Sequence, residues 1–307
     1  MRSYLAVFAG LAAICVPVKA WNPSVAAAVH SPRLSTGITR AIRPARSHMC
    51  ATNTELTAAA PLPTDAAIPP RSPRLPVFNW RTVFFFMANP LVLLPFATAA
   101  AFVLPGLSIR AWGGSAFALT MTSTKVGLLV AMPMLLLSLV ADKLIPALSE
   151  VNDASRVITL YAIGAKLVPL RALVAATLVS TSAAVAEEIA FRGTLQVGLS
   201  ALGSSTPLAP SLVSMLAVIG QALVFGKLHS YTESSVYAVM AAVAGLAFGA
   251  AFAVTNNLWV PIVAHFVVDL VGFVACHVQV ARKPPDEQAK LLAMDLPIAN
   301  ALRANSR

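Results

Sequence analysis

Six long apolar runs, at about 83–104, 117–141, 172–191, 210–228, 234–254 and 258–280, dominate what this chain can fold into, because each reaches or approaches the ~20 residues that cross a bilayer. A backbone inside hydrocarbon must satisfy its own N–H and C=O groups, so apolar runs of this length become helices. The chain therefore reads as all-α, a polytopic transmembrane helix bundle of about six spans with a disordered N-terminal leader. Only 11% of its 307 residues are charged and 58% are hydrophobic. A soluble domain carries about 25% charged residues, so the deficit supports the membrane reading.

The expected layout is a signal-like segment over residues 1–20, a transit-like leader over 21–81, accessory transmembrane helices over 82–145, a membrane domain holding the chemistry over 150–280, and a polar, solvent-exposed tail over 281–307. The stretch 157–171 is apolar but carries Arg156, Lys166 and Arg171 at its edges and middle, which suits an interfacial amphipathic helix better than a seventh span.

The net charge of +10 does not indicate nucleic acid. Basic residues lie mostly in the first 81 positions and the loops, and no basic patch is interleaved with aromatics. Arg71, Arg74, Arg81, Lys143, Arg156, Arg171, Arg282 and Lys283 fall on one side of a six-span layout, as orientation by positive charge requires; Arg110 dissents. Arg2, the apolar core Tyr4–Pro17 and Val18-Lys19-Ala20 have the form of a secretory signal. From Trp21 to residue 81 the chain is rich in Ser, Ala, Pro and Arg, with only Glu55 and Asp65 acidic. That order resembles the bipartite leaders of complex algal plastids and predicts a multi-pass plastid membrane protein; the alternative is an endoplasmic reticulum protein with a Pro-rich arm. Cys15, Cys50 and Cys276 have no metal spacing, and the first two leave with the leader, so no disulfide framework is expected.

Ionisable residues inside apolar spans are functional candidates. Glu188 and Arg192 are four apart and pair across one helical turn. Glu187 is rotated by about 100° from Glu188, points elsewhere, and suits a general base. The fourth span ends with Phe225 one turn before His229, and in the sixth His265 and Asp269 share a helix face.

Taken in order, Glu187-Glu188 with Arg192, Phe225 with His229, and His265 with Asp269 resemble the CPBP family, which contains the CAAX prenyl endopeptidases and the bacteriocin-processing (Abi) proteins. Phe191-Arg192-Gly193 and Asn257–Ile262 agree, and the resemblance covers about residues 150–280. It implies an intramembrane peptidase in the lipid bilayer, acting on a membrane-associated peptide or prenylated protein. It further implies that Glu187 and His229 activate the attacking water, that Glu188 and Arg192 brace the site, and that His265 and Asp269 stabilise the oxyanion. Asp269 stands where the family often has Asn, and an ionised Asp cannot donate to an oxyanion. It would then be protonated, orient His265, or join a metal shell. No cofactor is certain; zinc or another divalent metal, if present, would take Glu187, His229, His265 and Asp269 as ligands. Two other readings compete: a non-proteolytic membrane scaffold of the same fold, and a proton-coupled transporter, although the inverted repeats usual in transporters are absent.

Depth poses a geometric condition. A plain hydropathy layout puts Glu187 and His229 well over about 10 Å apart along the membrane normal, so they converge only if the motif helix runs on to about Leu199 or the fourth helix is re-entrant. Elsewhere, Lys125 and Lys166 are expected to snorkel, His277 to anchor at the interface, Trp112 and Trp259 to sit there, Pro133 to kink its span, and Gly245 and Gly249 beside Ala241 to form a close-packing seam.

Overall fold

The computed structural model describes residues 75–103, 117–144, 148–230, 235–296, 300 and 302, and among them there is no strand. Of the leader expected over 1–81, residues 1–74 lie outside the described residues, as do Arg110 and Trp112. Its last residues, 75–81, are packed rather than disordered: Leu75 and Phe78 lie against core clusters, the Asn79 N–H donates to the Ala162 carbonyl at 3.0 Å, and Trp80 opens α1. The helices are α1 (Trp80–Leu91), α2 (Leu93–Val103), α3 (Met121–Leu144), α4 (Leu148–Ile163), α5 (Pro169–Glu188), a π-helical segment (Ile189–Gln196), α6 (Val197–Gly203), α7 (Pro210–Leu228), α8 (Ser235–Thr255), α9 (Trp259–Ala281) and α10 (Pro285–Ala293). Among the described residues, six stretches are long and apolar enough to cross a membrane: Trp80–Phe102, Met121–Ser138, Pro169–Gly203, Pro210–Leu228, Val236–Thr255 and Trp259–Ala281.

Local chemistry explains the ends. The Asn79 side chain accepts from Arg81 N–H at 3.0 Å and opens α1. Thr120 and Ser123 cap α3 reciprocally: each hydroxyl accepts the other residue's backbone N–H, at 3.0 and 2.9 Å. The third span departs from the sequence expectation most. Helix α4 starts earlier than expected and stops at Ile163, because Gly164 turns the chain at φ +94°. Pro169 then opens α5, so the stretch 157–171 is divided between two helices rather than forming one. The motif helix does not end at 191. It continues through the π segment into α6, giving one 35-residue run from Pro169 to Gly203 that places Glu187 at its middle.

Small residues let the bundle close. Helix α5 buries Ala172, Ala175, Ala176, Ala183, Ala184 and Ala186, and packs on α1 and α9. Helix α9 also lies against α3, α4 and α8, while α7 and α8 pair closely. A Cβ on Gly226 would lie 2.5 Å from the Ala238 carbonyl oxygen, so the backbones of α7 and α8 approach closely there. The seam at Gly245 is realised too, with Ala222 of α7 set 3.0 Å from the place a Cβ would take.

Two outer features add detail that the sequence lacks. His277, near the end of its span, is buried against protein: its Nε2 accepts the Val168 N–H at 3.2 Å and ties the end of α9 to the head of α5. The tail is not a solvated strand of chain. Residues 285–293 form α10, whose Leu291 joins Ala154, Val157 and Leu160 in one core, and whose Gln288 Nε2 donates to the carbonyls of Ala165 and Val280 at 3.1 and 2.9 Å. Asp286 and Glu287 in its first turn and Lys290 in its last oppose the helix dipole favourably.

Candidate active site

Three spans bring the six singled-out residues together. The Pro169–Gly203 run carries Glu187, Glu188 and Arg192; His229 ends α7; α9 carries His265 and Asp269. The depth condition is met by the longer motif helix, and the closest approach of Glu187 Oε2 to His229 Nε2 is 3.8 Å.

At the bottom lies a fully buried ion pair, Arg192 Nη1 to Glu188 Oε1 at 2.8 Å, as the spacing of four predicts. Two charges in hydrocarbon need more than each other. The guanidinium also sits over the rings of Phe225 at 4.7 Å, Phe248 at 5.5 Å and Phe191 at 6.0 Å, and its Nη2 donates to the Gly245 carbonyl at 3.4 Å. Glu188 Oε1 accepts a second bond, 2.8 Å from His265 Nδ1. A carboxylate only accepts, so the proton is assigned to Nδ1, and Nε2 turns toward Asp269 Oδ2 at 3.5 Å and Glu187 Oε2 at 4.0 Å. The His265 ring is held flat on Phe248, centroids 5.4 Å apart at 22°.

His229 is oriented by its own helix. Its Nδ1 lies 2.8 Å from the Phe225 carbonyl, an acceptor, so Nδ1 donates and Nε2 presents a lone pair toward Glu187. Its ring packs on Phe225 at 4.3 Å. Glu187 Oε2 is buried and has no hydrogen-bond partner. Exposure rises across the cluster, from 0% at Glu188 through 9% at His265, 14% at Glu187 and 20% at His229 to 30% at Asp269, so the site opens on the Asp269 and His229 side.

The four residues named as ligands do not form a metal shell as placed. Among the described residues no group of three or more His, Cys, Asp or Glu side chains could hold a metal ion. Their contacts of 3.5, 3.8 and 4.0 Å exceed the ~3.3 Å separation implied by ligand bonds of about 2.0–2.1 Å in a tetrahedral shell.

Sequence reasoning missed Gln196, Gln221 and Phe248. Gln196 Nε2 donates to the Gly249 carbonyl at 3.0 Å and Gln221 Nε2 to the Gly245 carbonyl at 2.8 Å. Both amides are buried in a membrane span, and polarity in an apolar run is a signal the sequence does carry. Phe248 carries none, since one phenylalanine in an apolar helix looks like any other.

Comparison with protein families matches residues 169–271 to the family described as Type II CAAX prenyl endopeptidase Rce1-like, the family the motifs resemble. The matched segment contains all six site residues. Comparison with curated proteins and with solved structures returned no match.

Proposed function

With residues 169–271 matching the Type II CAAX prenyl endopeptidase Rce1-like family, we propose that this multi-pass membrane protein hydrolyses a peptide bond of a membrane-associated substrate, using a water activated by Glu187 and His229. One observation carries the reading. The buried, partnerless Glu187 Oε2 faces His229 Nε2 across 3.8 Å, and both atoms are acceptors. A water about 2.8 Å from each donates both its hydrogens and turns its lone pairs outward, ready to attack.

Glu187 takes a proton as the water oxygen bonds to the scissile carbonyl carbon, and the carbonyl electrons move onto its oxygen. The oxyanion is met by His265 Nε2, which donates once the ring carries a second proton beside the one Nδ1 gives to Glu188, an imidazolium flanked by the Glu188 and Asp269 carboxylates. As the C–N bond breaks, the leaving amine collects the proton from Glu187. Asp269, at the open edge, orients His265 from Nε2.

The test is cleavage of a membrane-anchored peptide in proteoliposomes, wild type beside Glu187→Gln, with and without a chelator. The expected result is cleavage by the wild type, indifferent to the chelator, and at least a ~100-fold loss in Glu187→Gln with normal folded yield. Full activity in Glu187→Gln with loss in Glu188→Gln would reverse the two roles. A folded wild type that retains a peptide without cutting it would identify a scaffold instead.

A further inference from the structure

Among the buried polar side chains to which the mechanism gives no task, Gln221 lies in line with the site. Gln221 on α7 is fully buried, two turns before His229, and its Nε2 reaches across to the Gly245 carbonyl on α8 at 2.8 Å. That carbonyl is the one that receives Arg192 Nη2 at 3.4 Å. From Arg192 the line continues through Nη1 to Glu188 Oε1, and from Glu188 to His265 Nδ1, each at 2.8 Å. A second route reaches the same ring: Gly245 lies three residues before Phe248, the ring that stacks flat on His265 and borders Arg192.

We propose that Gln221 is a positioning residue for the hydrolysis, fixing the Gly245 carbonyl and the register of α8 so that Arg192, Glu188 and Phe248 hold His265 with Nε2 aimed at the reacting carbonyl. The inference rests on the protease reading for its consequence but not for its geometry. Packing alone is a poor explanation of the residue. Its Oε1 is buried without a partner, so an apolar side chain of similar length would fill the same space with less polar burial. The backbone is shaped to the amide as well. A Cβ on Gly249 would collide with Gln221 Nε2, so only glycine lets the amide lie flush against α8.

That contact supplies a second, independent perturbation. Gln221→Met removes the donor; Gly249→Ala keeps Gln221 and pushes its movable amide off the carbonyl, while its Cβ also presses on Gln196 Oε1 at 3.0 Å. The full-length protein, labelled with 15N-histidine in detergent, reports the Nδ1 proton of His265, assigned by its loss in His265→Gln. Gln288→Met, which disturbs only the docking of α10, is the control. The expected result is that both Gln221→Met and Gly249→Ala move this proton upfield and speed its exchange with water by about 10-fold or more, while Gln288→Met leaves it in place. On a cleavable peptide both should lower kcat by about 10-fold or more with KM unchanged. A proton that stays put in either variant, or that moves as far in Gln288→Met, overturns the proposal. If no variant and no wild type cleaves any peptide, the protease reading falls while the proton still decides the positioning. If cleavage is unaffected and the proton unmoved, only the positioning falls.

Discussion

Arg192 is enclosed by Phe191, Phe225 and Phe248 and bonded to Glu188 and the Gly245 carbonyl, so its charge has no contact with bulk water. Removing it leaves Glu188 buried without its cation, which costs about 3–5 kcal/mol where such pairs have been broken. Arg192→Ala is therefore expected to lower the yield of folded protein as well as activity, read by size-exclusion recovery in detergent; recovery equal to wild type would contradict this. Asp269 is the contrasting case, the most exposed of the cluster and bonded only sideways to His265. Asn has the same shape and adds a donor, so Asp269→Asn should keep or raise turnover, and a chelator should not change it. Stoichiometric zinc with an inactive Asp269→Asn would reverse that expectation. Spacing along one helix makes the Glu188–Arg192 pair and the shared face of His265 and Asp269 legible in the sequence. The bond from His265 to Glu188 is not legible there, because it joins residues 77 positions apart and depends on how α9 rotates against α5. The partner of His277 is hidden on related grounds, since depth in a span does not tell which group waits there.

Among the elements, apolar run length predicts the six crossings, while their ends follow from side-chain detail that hydropathy averages away. Gly164 cuts the expected amphipathic helix, and the leucines of α10 are hidden among charges. The π segment Ile189–Gln196 is the least readable piece. Its wider turn, marked by Thr194 Oγ1 donating to the carbonyl of Ile189 five residues back, puts Arg192 and Gln196 both within reach of α8. The α7–α8 contact carries a sharper expectation. At Gly226 an added methyl would meet the Ala238 carbonyl oxygen and the Ala242 Cβ at 2.5 and 2.7 Å, neither of which can swing away. Gly226→Ala should destabilise by about 1–3 kcal/mol, seen as a lower thermal midpoint in detergent, and an unchanged midpoint would mean the two helices have room to spare there.

At the scale of the whole molecule, the leader expectation makes a claim about processing. A signal-like core followed by a basic, acid-poor stretch predicts a mature protein that starts after about residue 50 in a plastid membrane, which N-terminal sequencing of the native protein would show; a start before Trp21 would refute it. The architecture also sets an order in time. Glu187 and Arg192 arrive with the third crossing and His229 with the fourth, but His265 and Asp269 belong to the sixth, synthesised after the other five. Until α9 packs against α3 and α5, Glu188 and Arg192 have no His265 to hold, and the proposed mechanism has no donor for its oxyanion. On the proposed function the hydrolase is thus born incomplete: the nascent chain passes through the insertion machinery before it is able to cut any membrane peptide.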